Sequence, residues 1–254
     1  MKTRSKLTAL LLLPGCLAPL SAATISIAAG TYTENFDAMA ASGSAPAPGW
    51  AMRLGATAST MGNATTLAIN APNWSDTGGA FRNISSSNID PASDPAAQAA
   101  NGNRAVGFRQ VGFGGYSPGM SLCFNFATDG VQIDGFSLDM LQLNDAATRV
   151  STYTIQYGFG TAPTSFTTLG TWTTDGTFGA TSLSFDRDDF GTNLDGKSQV
   201  WLRVVALTAA TGSGSVYDLV GLDNFSISAS AVPEPSAALL GALGVFAFFQ
   251  RRRR

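Results

Sequence analysis

Apolar and polar side chains alternate through Ser151-Thr152-Tyr153-Thr154-Ile155-Gln156-Tyr157: Tyr153, Ile155 and Tyr157 share one side, Thr152, Thr154 and Gln156 the other. A period of two is that of a strand buried on one face. Leu122, Phe124 and Phe126 repeat it. Read this way, the chain predicts strands at 31–38, 50–54, 65–70, 80–85, 104–110, 120–127, 131–143, 149–158, 165–173, 181–185, 199–207 and 216–228. Turn signals such as Thr128-Asp129-Gly130, Thr174-Asp175-Gly176 and Leu194-Asp195-Gly196 separate the runs. The span 86–103, with Pro91, Pro95 and an Ala-rich stretch, predicts a long surface loop. No amphipathic helix of useful length interrupts the region 24–230, so the fold class is all-β, an antiparallel two-sheet jelly-roll sandwich.

The two termini break this pattern with apolar runs flanked by cations. At the start, Lys2, Arg4 and Lys6 precede Leu7 to Leu13, and Ser21-Ala22-Ala23 supplies small residues for cleavage, so 1–23 reads as a signal peptide with its helix. Leu13-Pro14-Gly15-Cys16 offers a competing, lipoprotein-like reading in which Cys16 carries lipid. In the segment 232–254, Pro233, Glu234 and Pro235 precede an uncharged stretch from Ala237 to Phe249, an apolar helix over about 236–250, and then Arg251, Arg252, Arg253 and Arg254. Roughly fourteen such residues make a helix of about 21 Å, short of the ~30 Å hydrocarbon core. The arginines act as a cytoplasmic stop and leave everything before Pro233 on the far side of the membrane.

Pro-Glu-Pro, a short apolar helix and a terminal arginine run, in that order, resemble the PEP-CTERM sorting signal of exosortase substrates. The resemblance implies a Gram-negative host and recognition by a membrane-embedded, cysteine-type transpeptidase. It also implies an inner-membrane-anchored precursor whose tail is removed, leaving the domain periplasmic, on the cell surface or extracellular. Association with extracellular polysaccharide is a further implication.

Composition narrows the chemistry. The chain has no histidine, which removes imidazole acid–base catalysis, Ser-His-Asp triads and His-ligated metals together. Of its 2 cysteines, Cys16 lies in the signal segment, leaving Cys123 in a strand-like run as a small buried residue. Charged residues are 13% of the chain and the net charge is -2. Lys2, Arg4, Lys6 and Arg251 to Arg254 supply nearly half of the 15 cations, so the region between the termini is distinctly acidic and unsuited to nucleic acid.

Glu34-Asn35-Phe36 and Asp223-Asn224-Phe225 repeat an acid-Asn-Phe tripeptide near opposite ends of the domain. With a period of two, each acid falls on the face of its Phe, the core side, where a buried carboxylate needs a partner. On neighbouring strands the pair Glu34 and Asp223 would hold a structural Ca²⁺ together with backbone carbonyls; the alternative places both at strand ends, on backbone amides or in water. No other cofactor is indicated. The run Asp186 to Gly191 opens like a calcium loop but carries Lys197 where a bidentate Glu is required, so it is an acidic turn.

Glu34-Asn35-Phe36-Asp37, Thr154-Ile155-Gln156-Tyr157-Gly158 and Gly221-Leu222-Asp223-Asn224-Phe225-Ser226-Ile227 resemble segments of jelly-roll carbohydrate-binding and concanavalin-like modules. That resemblance implies a glycan ligand held by an exposed aromatic ring. Trp74, in the polar run Pro72-Asn73-Trp74-Ser75-Asp76, is the candidate; Trp172 and Trp201 lie in strand-like runs and belong to the core, and Trp50 fits either role. Arg104 and Arg109 border a Gly-rich stretch from Val111 to Tyr116, read as a hairpin or loop. Asp134 and Asp139 fall on opposite strand faces and make no glycosidase pair. The expectation is a non-enzymatic, exported module bound to extracellular polysaccharide or the cell envelope, with a concanavalin-like glycan-degrading enzyme and a purely structural matrix protein as alternatives.

Overall fold

Runs of alternating residues bounded by Gly, Asp and Pro become strands, and they do so almost along the whole domain. The computed structural model describes residues 22–68, 81–86, 95–112, 116–143, 148–214 and 217–232. Trp74, the sorting residues Pro233, Glu234 and Pro235, the apolar run at 236–250, Arg251 to Arg254 and nearly all of the signal segment lie outside them. No helix among the described residues is long and apolar enough to cross a membrane.

The strands in chain order are β1 (Ile25–Ser26), β2 (Gly30–Glu34), β3 (Trp50–Leu54), β4 (Asn63–Thr65), β5 (Leu67–Ala68), β6 (Phe81–Ser85), β7 (Arg104–Phe108) and β8 (Ser121–Ala127). They continue as β9 (Val131–Gln142), β10 (Arg149–Val150), β11 (Thr152–Phe159), β12 (Thr167–Thr173), β13 (Gly179–Asp186), β14 (Val200–Val205), β15 (Thr211–Gly212) and β16 (Val220–Ala231). One sheet has the order β12-β11-β14-β8-β3-β4, with β1 beside β8; the other runs β13-β9-β16-β7-β6-β5, with β2 beside β16. β10 and β15 form a separate two-stranded ribbon. The arrangement is the expected all-β jelly-roll-like sandwich.

A 3-10 turn (Asp37–Met39) and two α-helices depart from the expectation of strands and loops alone; the turn ends the strand expected at 31–38 at Glu34. α1 (Pro95–Ala100) lies in the span read as a long surface loop, and its Gln98 is buried. α2 (Arg187–Phe190) is a single turn built by the acidic run: the Asp186 side chain accepts from Asp188 N–H, and Asp189 accepts from the Asp186 N–H at 2.9 Å.

Aromatic residues join the sheets. Phe124 of β8 meets Phe225 of β16 edge-on at 5.1 Å, Trp50 meets Phe225 at 5.1 Å, and Tyr32 stacks on Phe124 at 5.2 Å. Further along, Phe108 meets Tyr153 at 5.2 Å. Trp50, Trp172 and Trp201 are all buried, as is Cys123. Gly49 permits the close approach at this cluster: it has φ +90°, and a Cβ there would stand 2.6 Å from Ile25 Cγ1 and 2.8 Å from Phe124 Cε2.

The strand directions give the sandwich two distinct ends. At one, the β8–β9 turn at Asp129–Gly130 lies beside the last residues of β16, because Val232 N–H donates to Gly130 O at 3.3 Å. At the other lie Gln142, Trp172, Thr174 and Asp218, far along β9, β12 and β16 from the exit of the tail.

Candidate functional site

Glu34 and Asp223 do come to neighbouring strands: β2 runs antiparallel to β16, with Glu34 opposite Phe225. β16 changes partner along its length, pairing with β7 at Val220–Leu222 and with β2 at Phe225–Ala229. Asp223 and Asn224 fill the gap. Asn224 has φ 47°, left-handed backbone that Asn tolerates, and the register against β9 slips between Asp223 and Ser226. The slip turns Leu222 and Phe225 both to the core and overturns strict alternation. Asp223 therefore faces away from the core with Asp139, its direct partner on β9, and Glu34, the last residue of β2, lies near enough for its charge to act on Asp223. A second irregularity in the β9–β16 register, near Gly135, places Asp134 and Asp139 on the same outer face rather than on opposite ones.

Asp223 is nonetheless buried. Burial pushes its carboxyl up to about 7 despite the Asn224 N–H donated at 2.7 Å, and the negative fields of Asp37, Asp139 and Glu34 push the same way. Glu34 is raised too, chiefly by burial, and its Oε1 accepts the Phe36 N–H at 2.7 Å. Asp37 is engaged at both oxygens, by Arg104 N–H at 2.8 Å and Asn35 Nδ2 at 2.8 Å. Asp139 accepts from Ser182 Oγ and, at 2.8 Å, from Asn224 Nδ2. The charge suits a cation, but the donor set is small. Among the described residues no group of three or more acid or cysteine side chains converges on a metal-sized point. Glu34 and Asp223 would have to be completed by main-chain carbonyls and water to reach the six to eight oxygens calcium takes.

The outer face of the other sheet carries Gln156, Trp201, Arg203, Cys123 and Asn125, all buried. The chain seals this face itself. Arg203 donates to Gln156 Oε1 at 2.7 and 3.0 Å, to Thr60 O at 2.8 Å and to Thr57 O at 3.0 Å, and its guanidinium lies 3.3 Å from the Phe166 ring centroid. Burial lowers its pKa to about 10, so it stays cationic at neutral pH. Trp201 Nε1 donates to Gly160 O at 3.0 Å, and Asn125 Nδ2 to Ala22 O and Thr24 Oγ1, each at 3.0 Å. Cys123 Sγ sits 3.2 Å from Ser121 Oγ, and burial raises the thiol pKa, so it is inert.

Arg104, flagged beside the Gly-rich stretch, is also structural. Its guanidinium donates to Asn83 Oδ1 at 2.8 Å, Asn83 O at 3.2 Å and Gln98 O at 3.1 Å. With a further bond to Asn101 O at 3.2 Å, these contacts tie the end of the 95–100 helix to the sheet.

The end of the sandwich opposite the tail gathers what local pattern did not reveal. Gln110, Gln142, Ser151, Tyr153, Thr174 and Asp218 are buried together there, with Arg109 beside them. Gln142 Nε2 donates to Asp218 Oδ1 at 3.2 Å, Asp175 N–H to Gln142 Oε1 at 3.0 Å, and Gln110 Nε2 to Thr208 O at 3.0 Å. Burial raises the Asp218 carboxyl, with the Thr174 hydroxyl opposing it. Three buried oxygens, Gln110 Oε1, Ser151 Oγ and Tyr153 Oη, have no hydrogen-bond partner among the described residues. Next to this network a hollow of about 90 Å³ is lined by Gln142, Trp172, Asp175, Thr177, Phe178 and Thr181. The sequence pointed to Arg109, and to Trp172 and Tyr153 as core residues; Gln142 and Asp218 gave no signal, because the network is assembled from separate strands and loops. Phe159, 43% exposed with Lys197 Nζ 5.3 Å from its ring centroid, is the one exposed aromatic ring among the described residues, and it lies at the tail end.

Residues 231–254 match the PEP-CTERM protein-sorting motif. No curated protein matches the chain. Among solved structures, the K2 cleaved adhesin domain of Lys-gingipain is similar at 15% identity, over 78% of this chain and 97% of that one, with a TM-score of 0.43. The xylan-binding domain from carbohydrate-binding module family 22 is similar at 10% identity over 81% and 98%, with a TM-score of 0.41. A xylan-binding domain from Paenibacillus barcinonensis is similar at 12% identity over 81% and 98%, with a TM-score of 0.40. At this level the likenesses speak to neither ligand nor partner.

Proposed function

We propose that the chain is the precursor of an exported surface protein, sorted through its PEP-CTERM tail by an exosortase-type transpeptidase. Its sandwich would bind extracellular polysaccharide or envelope material without altering it chemically. The observation that carries this reading is the placement of the sorting motif directly on the last strand residue, Ala231, of a sandwich whose polar hollow lies at the opposite end. A domain delivered or attached through its C-terminal end presents its far end outward.

The hollow has room for about three waters, given ~30 Å³ for each. It would therefore take an exocyclic group or ring edge of a polymer lying across the end, with Asp175, Thr177 and Gln142 as hydrogen-bonding groups and Trp172 as the apolar wall. Among the described residues its lining supplies one carboxylate, Asp175, and glycoside hydrolysis uses two in concert, so the reading taken is binding. Trp74 stays in the proposal as a second aromatic contact, and Ca²⁺ at Glu34 and Asp223 as a structural ion.

The test uses protein released by its native host. Intact mass should correspond to a chain lacking the signal segment and the tail, and that material should bind at least one polysaccharide on an immobilised panel without releasing reducing ends. Binding to none of them would reject the module reading in favour of a scaffold. Release of reducing ends would make it an enzyme.

A further inference from the structure

The sorting motif and the fold overlap. The motif match begins at Ala231, which is also the last residue of β16 and pairs with Val131 of β9. Ser230 pairs with Gln132, and its hydroxyl accepts from Gln132 Nε2 at 2.8 Å and donates to Asp134 Oδ1 at 2.9 Å. Val232 N–H is held by Gly130 O. Only Val232 separates the strand from Pro233.

Two residues of extended chain reach about 7 Å, whereas neighbouring strands lie ~4.8 Å apart and the facing sheets ~10 Å apart. An enzyme that grips an extended segment on both sides of a bond this close to the strand would collide with the end of the sandwich. We infer that the transpeptidase acts on a chain whose last strand residues, Ser230 to Val232, have first peeled away from β9, so that this strand end gates processing. The inference rests on the sorting reading above. The step it gates is acyl transfer: a thiol sulfur of the enzyme adds to a carbonyl carbon in the motif and the peptide C–N bond breaks. The tail's new amine takes the proton, and water or an acceptor nucleophile then displaces the sulfur.

The local structure suits such peeling. β2 stops pairing with β16 at Ala229, so beyond it the strand has a hydrogen-bonded neighbour on one side instead of two. The last large core anchors are Phe225 and Ile227; Ser230 is half-buried and Ala231 and Val232 are exposed. Peeling back to Ala229 gives up main-chain and hydroxyl hydrogen bonds but no large apolar side chain. Such ends open locally without global unfolding.

Tail removal from the full chain should be followed by pulse-labelling in cells that contain the transpeptidase. Eight Gly and Ser residues inserted between Val232 and Pro233 should raise the removal rate at least threefold. A Gln132→Cys, Ser230→Cys pair, directly opposite in the register, should slow it at least tenfold when oxidised and recover on reduction. The same pair combined with the insertion should restore at least the wild-type rate, a result that a misfolded domain would not produce. Unchanged rates in both single designs would overturn the gate while leaving the sorting reading intact. A wild-type tail that is never removed, or one whose removal ignores Pro233→Ala with Glu234→Ala, would overturn the sorting reading and the gate with it.

Discussion

Asp223 and Asp139 stand directly opposite each other on β16 and β9, two carboxylates on one face of one sheet, and the first of them is buried. The Asn224 side chain donates to Asp139, while its backbone N–H caps Asp223. One residue in left-handed conformation thus serves both acids. Their repulsion is relieved if Asp223 keeps a proton.

The folded-state value of about 7 lies above the ordinary 3.8. Between those values the native state holds a proton that the unfolded chain has lost, so stability falls as pH rises from about 4 to 7 and levels off above 7. The full effect is at most about 4 kcal/mol. Asp223→Asn should flatten that slope and raise stability at pH 8, as measured by urea unfolding at pH 5 and pH 8. Equal slopes for both proteins would show that the carboxyl is not held protonated.

A bridging calcium would replace that proton. In millimolar Ca²⁺ at pH 8 the melting temperature should rise relative to chelator, and neither Glu34→Gln nor Asp223→Asn should show the rise. Ligand at a hundredfold excess over Kd contributes about 2.7 kcal/mol. An unchanged wild-type melt removes the ion from the proposal.

Arg203 should be among the costliest single residues to truncate. Arg203→Ala leaves the Thr57 and Thr60 carbonyls and the Gln156 amide oxygen without their donor and removes the stack on Phe166, a loss of about 3 to 5 kcal/mol. Arg203→Lys should recover only part, because an ammonium lacks the planar fork. Chemical denaturation of the two variants checks this.

Tyr153→Phe tests the far end of the sandwich. The hydroxyl is buried without a partner among the described residues, so its removal should leave stability within about 0.5 kcal/mol or raise it. A loss of more than about 1.5 kcal/mol would mean that buried water or another group satisfies it.

Asp186→Ala should cost about 1 kcal/mol, the usual worth of a helix cap, because it abolishes the capping box of α2. Thermal unfolding should show a correspondingly small shift. A loss as large as that of Arg203→Ala would show that this turn anchors more than itself.

The strands were legible because alternation and turn residues act over a few neighbours. Tyr153, Ile155 and Tyr157 face the core as their period requires, and the Asp186 run was readable as an acidic turn. The sorting motif was legible for a similar reason, since it is a contiguous string whose apolar and cationic blocks need no fold to be recognised. What the chain alone left open depends on residues brought together from far apart. Asp223 left the face its period assigned because β16 must pass from β7 to β2 and bulges where it does so. Arg203 and Trp201 are buried on an outer face because loops more than forty residues away along the chain close over them. Gln142, Tyr153 and Asp218 form a network only when β9, β11 and the loop before β16 reach the same end. Local chemistry set the elements and the address; long-range packing decided which polar groups are buried, and against what.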